Sequence, residues 1–517
     1  MSDRGEGTEC GRLFERQPAA FSFSGVRAAN RPSKPRSLRT LEDMIARIGL
    51  LLSATIGRWI PEPFVLALGL TVVTGALALL FGFPPVDQVD PITGSTTIVE
   101  VSTFTAAREL LDQWWSPGLW KFLGFSMQMS LILVTGFAIA QSRPVRWLIE
   151  RISNLPGNTA SAAALVGLVA MSTGLINWGL GLIVGALLAQ ATARNLDKRG
   201  IRVHYPLICA AGYTGLLVWH GGLSGSAPTK MSKPSEAAEV IPASVLENLD
   251  VGAIPLQQTL FSGLNLFVSL GLLVVVTITL FLLAPRRSDQ IRTAAELGIT
   301  ESDDAADDSM PKSGFFAIAF NLIIGAALLA GMVLYLVDDE RGFGSISPNE
   351  INATMLGLGM LLHVSPSSYL RSIESAVRGC AGIIVQFPLY AGIMMMMSVS
   401  GLMIMASDFA VTSSTPETLP LLTFFSAGVV NFFVPSGGGQ WGVQGPIALE
   451  AGAAAGVSPS KMIMSVAYGD QLTNMLQPFW ALPLLAITGI KARDIVGYTA
   501  FVMVIAGIWM GLGLLIF

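Results

Sequence analysis

The stretch Val430–Pro446, VNFFVPSGGGQWGVQGP, constrains this chain more than any other. It lies inside an apolar segment running roughly from Thr418 to Ala455, with three consecutive glycines, Gly437 to Gly439, between Pro435 and Trp441. Proline lacks the amide donor that a helix needs, and three glycines remove the helical bias. No helix is expected to run through this point, so the backbone should break in the middle of a membrane-like segment. Broken backbone at membrane depth survives only where protein buries it or water reaches it, and such places are commonly transport sites. An ordinary loop between two short spans is the plainer alternative, and the apolar flanks speak against it.

The rest of the chain supports a membrane setting. Of 517 residues, 52% are hydrophobic and 13% charged, with mean hydropathy +0.61. Soluble domains carry about a quarter charged residues. The expected class is therefore an all-α polytopic membrane protein. Cys10, Cys209 and Cys380 are scattered, which supports neither disulfides nor a thiolate metal site. The start is polar and no apolar run precedes residue 40, so no secretory signal is expected and insertion should use the internal spans.

Residues 1–40 read as a disordered tail, and Leu41–Ile60 as an amphipathic helix lying on the cytoplasmic membrane face. A span needs about 20 apolar residues. Full spans are expected at Pro63–Phe83 and Phe122–Gln141, with a polar loop at 84–121 between them. Pro144–Pro156 looks interfacial. Thr159–Ala193 is 35 residues without a charge, too long for one span and short for two, which predicts a re-entrant hairpin with its tip near Asn177–Gly179. Tyr205–Met231 carries GYTGLLVWHGGLSGSAP, polar and glycine-rich where a lipid-facing helix would not be.

Leu256–Leu283 follows as a clean span. Residues 286–313, with Asp303, Asp304, Asp307 and Asp308, read as a charged, solvated cytoplasmic linker between a first repeat (61–285) and a second (314–517). The second half offers spans at Gly314–Val337, Ile351–Val364, Cys380–Met405, Met462–Ile487 and Ile495–Phe517, with Ser367–Arg378 interfacial. About nine full spans and two re-entrant hairpins result.

With a cytoplasmic N-terminus, the basic loops fall inside and the mostly acidic ones outside, as the positive-inside rule requires. Each half holds a hairpin with Asn before a Gly/Trp cluster, then a polar-interrupted span, then one apolar span. The extra span Gly314–Val337 reverses the second half, giving an inverted repeat. Matching glycine-interrupted segments in inverted halves point to a transporter's binding site.

Helices that begin inside the membrane present free N–H groups and the positive end of their dipole, which suits an anion. Four such breaks would form the site. The expected backbone contacts are Gly179, Gly221, Gly222, Gly437, Gly438 and Gly439, and the neutral polar groups are Asn177, Thr214, Ser224, Ser226, Asn431, Ser436 and Gln440, with His220 as a donor or proton site. No Lys or Arg stands in the middle of these segments, which favours a small monoanion over a dicarboxylate or phosphate that would recruit Arg. Trp178, Trp219, Phe433, Trp441 and Phe479 offer walls for a short alkyl tail, although each is a packing residue first. Asp470 is the deepest carboxylate, with Glu450 its rival. It is expected to carry a coupling proton, or to coordinate Na⁺ with Thr473 and Asn474.

These segments, NWGLGLIVGALLA (Asn177–Ala189), WHGGLSGSAP (Trp219–Pro228), VPSGGGQWGVQGP (Val434–Pro446) and GDQLTNMLQPFW (Gly469–Trp480), resemble the short-chain fatty acid transporter family from about Leu41 onward. The resemblance implies uptake of short monocarboxylates such as butyrate or acetoacetate across the inner (plasma) membrane. A more distant kinship with the ion transporter superfamily implies broken helices that move as an elevator, and a homodimer. It assigns no role to Thr229 and Lys230, just after the first broken helix.

A proton- or Na⁺-coupled symporter is the expected function. A transporter of larger or dicarboxylic anions is the nearest alternative, and an anion channel a further one, since glycine-lined breaks also make filters. The sequence lacks the His-Glu-x-x-His motif and the Ser-Lys or Ser-His pairing of an enzyme, and the Walker motif of a pump. No cofactor and no nucleic-acid partner are expected.

Overall fold

The computed structural model describes residues 36–59, 62–84, 86–89, 96–99, 101–238, 252–299, 313–338 and 348–517. By contacts the chain divides into Met1–Leu41 and Glu42–Phe517, and the second unit holds the membrane elements. Residues 1–35 of the expected tail, Cys10 and the aspartates of the linker at 303–308 lie outside the described residues.

The first half contains α1 (Arg36–Trp59), α2 (Pro63–Phe81), α3 (Thr103–Gln113), α4 (Leu123–Gln141), α5 (Arg143–Ser153), α6 (Thr159–Ile176), α7 (Trp178–Lys198), α8 (Tyr205–Tyr213), α9 (Ser226–Met231) and α10 (Gly263–Leu282). The second contains α11 (Phe315–Val337), α12 (Pro348–His363), α13 (Pro366–Val377), α14 (Ala381–Val399), α15 (Leu402–Thr412), α16 (Leu419–Phe433), α17 (Gly437–Ala455), α18 (Pro459–Thr473), α19 (Pro478–Thr488) and α20 (Ala492–Ile516). Among the described residues, seven helical stretches are long and apolar enough to cross a membrane. Shorter apolar helices, α16 and α19, flank the breaks. The chain is a helical multi-pass membrane protein.

Local chemistry explains the helix starts. Asn158 caps α6 through a reciprocal pair, its Oδ1 accepting from Ser161 N at 2.9 Å while Ser161 Oγ accepts from Asn158 N at 3.3 Å. Ser262 caps α10 by accepting from Asn265 N, and proline opens α2, α8, α13, α18 and α19, where its missing N–H costs nothing. On α11 the large apolar side chains point outward, Phe315 79% exposed and Phe320 65%. In water that would be a liability, but it is the surface a helix bathed in lipid presents.

Three local expectations need correction. The polar loop at 84–121 is structured: β1 (Val86–Val89) pairs antiparallel with β2 (Thr96–Val99), Val86 opposite Val99, before α3 begins. The β-branched residues of VDQV and TTIV favour strands there, and the apolar-run criterion for spans passed over them. The span Cys380–Met405 is interrupted at Ser400–Gly401, where Gly401 at φ +77° turns the chain between α14 and α15. The described half of the linker is not merely solvated. Arg292 pairs with Asp494 at 3.2 Å and Arg202 with Glu296, and Tyr205 N donates to Arg292 O at 2.9 Å. Buried His204 accepts from Arg292 N at Nδ1 (3.1 Å), and its Nε2 lies 2.8 Å from Tyr498 Oη. Residues 286–299 thus fasten the ends of α8 and α20 together.

At the centre, α6 and α7 lie along each other, and both pack on α8. Glycine permits this. A Cβ on Gly181 would stand 2.6 Å from Gly174 Cα, and one on Gly185 only 2.2 Å from Gly212 O. In the second half α16 and α17 both pack on α18, although they touch each other less. Helix, break, helix, broken helix and apolar span therefore occur twice in the same order.

Candidate functional site

The first break is Asn177, between α6 and α7 as expected. Its Oδ1 accepts from Gly179 N (2.9 Å) and Leu180 N (3.2 Å), so the side chain is spent as the cap of α7. Trp178 N donates to Ser224 Oγ at 3.0 Å, which ties this tip to the next break. The Trp178 ring meets Trp219, Trp480 and Phe125 at 6.5, 5.3 and 6.4 Å. Phe125, on α4, was not singled out from the sequence, where it is one phenylalanine in an ordinary apolar span.

The second break runs from Tyr213 to Gly225. Two 3₁₀ turns, Thr214–Leu217 and Trp219–Gly221, replace regular helix before Ser226 opens α9. Thr214 is fully buried and its hydroxyl donates to Ala211 O at 2.7 Å, a local bond that takes it out of ligand service. Gly221 and Gly222 allow close packing: a Cβ on Gly221 would meet Ser269 Oγ at 2.4 Å and one on Gly222 would meet Leu175 O at 2.2 Å. Gly221 O accepts from Asn265 Nδ2. These two glycines are where neighbouring chain atoms approach too closely for any side chain.

The third break is displaced from its expected position. Val434, Pro435 and Ser436 form the interruption, and Gly437–Gly439 are the first turn of α17 rather than the gap itself. Ser436 is the cap, its Oγ accepting from Gly439 N at 3.2 Å and its carbonyl from Gln440 N at 2.8 Å. A first helical turn tolerates glycine because its amides have no intrahelical partners to lose. Gln440 is buried and donates to Ala427 O and Gln444 Oε1, each at 2.9 Å. Trp441 is fully buried against Gly445 and packs. Phe433 meets Phe432 and is half-buried.

The fourth break follows α18. Asn474–Leu476 is a 3₁₀ turn and Gln477 is extended before Pro478 restarts the helix. Asn431 organises this end: its Nδ2 contacts Asp470 O (2.7 Å), Asn474 Oδ1 (2.9 Å) and Thr473 Oγ1 (3.0 Å), and its carbonyl accepts from Gln477 Nε2. Thr473 donates to Gly428 O at 3.0 Å. Phe479 stacks near Phe387 at 4.2 Å. Asp470 is 2% exposed whereas Glu450 is exposed, which separates the two rival acids.

All four breaks meet. The Trp219–Gly221 turn and α9 pack on α18, α9 also packs on α17, and the turns at Thr214 and Asn474 touch. His220 lies at the junction. Its ring is 1% exposed, rests edge-on against Trp219 at 3.7 Å, and places Nε2 3.7 Å from Asp470 Oδ1. His220 N donates to Gln471 Oε1 at 3.0 Å. Both ring nitrogens of His220, Asp470 Oδ2, Asn431 Oδ1, Asn474 Nδ2 and Gln477 Oε1 make no hydrogen bond within the chain. Buried polar groups are normally paired, so such a concentration marks a place prepared for a ligand, an ion or water. Among the described residues no group of three His, Cys, Asp or Glu could hold a metal ion.

One charge was missed by the linear reading. Lys230, at the end of α9, brings Nζ and Cε to 3.9 Å from where a Cβ on Gly438 would sit. In the sequence it trails the second polar segment, and only the fold carries it to the start of α17.

A family model described as "Short chain fatty acid transporter" matches residues 44–517. An Escherichia coli (strain K12) protein named "Putative short-chain fatty acid transporter" is 37% identical over 478 residues, covering 92% of this chain and all of that protein. A Haemophilus influenzae protein of the same name is 35% identical over 464 residues, 88% of this chain and 96% of that protein. The crystal structure of the Alcanivorax borkumensis YdaH transporter is similar at 16% identity and TM-score 0.43, over 88% of this chain and 97% of that one.

Proposed function

The chain belongs to the short chain fatty acid transporter family, and from that premise we propose that it is a secondary active transporter of short-chain monocarboxylates, of the size of butyrate or acetoacetate, driven by a proton or Na⁺ gradient. The supporting observation is the convergence of four helix breaks on buried polar atoms that have no partners in the chain. Free amides at the start of α17 receive the carboxylate. Trp178, Trp219, Trp480 and Phe125 enclose the short apolar tail. The two sets of matching breaks are taken as an inverted repeat, with α6–α7 and α16–α17 as the re-entrant hairpins, in an inner-membrane protein whose N-terminus is cytoplasmic and which pairs as a homodimer.

Coupling is assigned to Asp470, with the proton as the preferred ion. The acid is buried, one oxygen faces the His220 ring at 3.7 Å, and the other is unpartnered. A specific observation also favours Na⁺: the unpartnered amide oxygens of Asn431, Gln440 and Gln477 are hard ligands of the kind that cation takes.

Purified protein in liposomes, given labelled butyrate under imposed pH or Na⁺ gradients, tests the proposal. Accumulation above equilibrium under one of the two gradients is the expected result, and absence under both would remove the transporter reading. Selectivity supplies a further prediction. Succinate brings a second carboxylate into a site built for one, at a desolvation cost of at least about 1–3 kcal/mol. It should therefore compete with labelled butyrate at least about fivefold less well than unlabelled butyrate does. Equal competition would indicate a dicarboxylate carrier.

A further inference from the structure

We propose that Lys230 supplies the positive charge that receives the substrate's carboxylate, over the first turn of α17. This rests on the monocarboxylate reading above and names a group that reading did not contain.

Four amides open α17, and two are spoken for. Gly439 N bonds Ser436 Oγ and Gln440 N bonds Ser436 O. The amides of Gly437 and Gly438 have no partner inside the helix and sit at the positive end of its dipole. A helix start alone is not a site, but two further groups are aimed at this one. A Cβ on Gly437 would fall 2.4 Å from His220 Nε2 and 2.8 Å from the Trp219 ring. The His220 ring nitrogens and Trp219 Nε1 are buried and hydrogen-bond nothing within the chain. On the other side, at Gly438, stand Lys230 Cε and Nζ. Gly438 is half-buried and nothing else comes within 4 Å of its absent side chain, so room remains there for an acid group.

A carboxylate at the two amides would thus have an ammonium on one flank and the His220 imidazole nitrogen on the other, with the Trp219 ring presenting carbon beside it. A charge-assisted hydrogen bond is roughly twice as strong as a neutral one. Lysine is a compact charge on a flexible stem, suited to a single carboxylate that must be released again, whereas arginine would clamp it. One cation and one carboxylate leave the loaded site neutral, and a second carboxylate finds no counter-charge.

The test measures butyrate uptake in proteoliposomes and competition by butyramide, its neutral counterpart. Lys230→Gln should raise the half-saturating butyrate concentration roughly 10- to 100-fold, and butyrate and butyramide should then compete about equally. Lys230→Arg keeps the charge, so it should keep the parent's preference for butyrate over butyramide within a few-fold, with slower turnover because the bidentate guanidinium holds the carboxylate longer. A Lys230→Gln protein that keeps the parent's half-saturation, or its preference for butyrate over butyramide, would overturn the assignment. Should Lys230→Gln not yield folded protein, Gly438→Asp and Gly438→Asn serve instead. The Asp side chain would offer the ammonium a built-in carboxylate and should weaken butyrate at least tenfold more than Asn does. Equal effects would overturn the assignment. Parent protein that never takes up butyrate refutes the transporter reading, whereas active parent with an indifferent Lys230→Gln refutes this inference alone.

Discussion

Asp470→Asn is expected to leave a folded protein that exchanges substrate across the membrane but no longer concentrates it. Asp470 sits eleven residues after Pro459, roughly 16 Å along α18 at 1.5 Å per residue. Its carboxyl is 2% exposed, one oxygen without a partner and the other 3.7 Å from an imidazole nitrogen. Leaving a carboxylate ionised in such surroundings costs several kcal/mol, so it should spend part of each cycle carrying a proton or touching a cation. Asparagine keeps the shape and the acceptor oxygen but cannot exchange a proton. One proton moving through a gradient of one pH unit releases about 1.4 kcal/mol, enough for about tenfold accumulation. The parent should approach that ratio when the outside is acidic, and Asp470→Asn should stop at about one. If Na⁺ is the coupling ion, the asparagine oxygen still serves as a ligand and high Na⁺ should restore accumulation. Full pH-driven accumulation by Asp470→Asn would remove this residue from coupling.

The second large effect is expected at Gly437. A single methyl there would stand 2.4 Å from His220 Nε2 and 2.9 Å from its Cε1. The ring has little freedom to retreat, since Trp219 lies edge-on at 3.7 Å and the His220 backbone is held by Gln471. Overpacking of this kind costs about 1–3 kcal/mol. Gly437→Ala should therefore lower the unfolding midpoint by a few degrees and depress uptake to a few per cent or less, because the start of α17 and the ring must part. Gly442 provides the internal control, five residues on in the same helix. Nothing lies within 4 Å of its missing side chain, and alanine there should stabilise the helix by up to about 1 kcal/mol. Thermal unfolding and uptake of the two variants, measured side by side, separate crowding from loss of helical glycine. Normal uptake by Gly437→Ala would place the start of α17 outside the transport site.

What was legible in the sequence was where the helices fail. Asn177, the Tyr213–Gly225 stretch and Asn474–Gln477 interrupt the backbone where polar and glycine residues invade apolar runs. The third interruption was seen but placed too far along the chain, because glycine counts as a breaker inside a helix yet is harmless in a first turn capped by Ser436. Gly401 was missed for the opposite reason, being a lone glycine beside a run of methionines. Site chemistry was less legible than site position. Asn177, Thr214 and Ser436 have the right side chains, but each turns to neighbouring backbone, a competition that residue type does not reveal. The bonds that build the centre connect residues far apart in the chain, Asn431 with Asp470 and Asn474, His220 with Gln471. Lys230 became relevant only once its distance from Gly438 was known.

One contact bears on how such a centre can move. The Tyr213 hydroxyl lies 2.9 Å from Asn474 O and 2.8 Å from Gln477 O, so the residue that ends α8 faces both carbonyls of the opposite interruption. A phenol has a single hydrogen to give. The two carbonyls share it, and neither can be drawn away without handing the other the whole bond. The bond therefore ties the end of α8 to the opposite interruption and outlasts a small displacement of either carbonyl. The ends of α8 and α18 are thereby joined across the centre by a contact that holds while either carbonyl shifts slightly, a tether with some slack rather than a rigid pin.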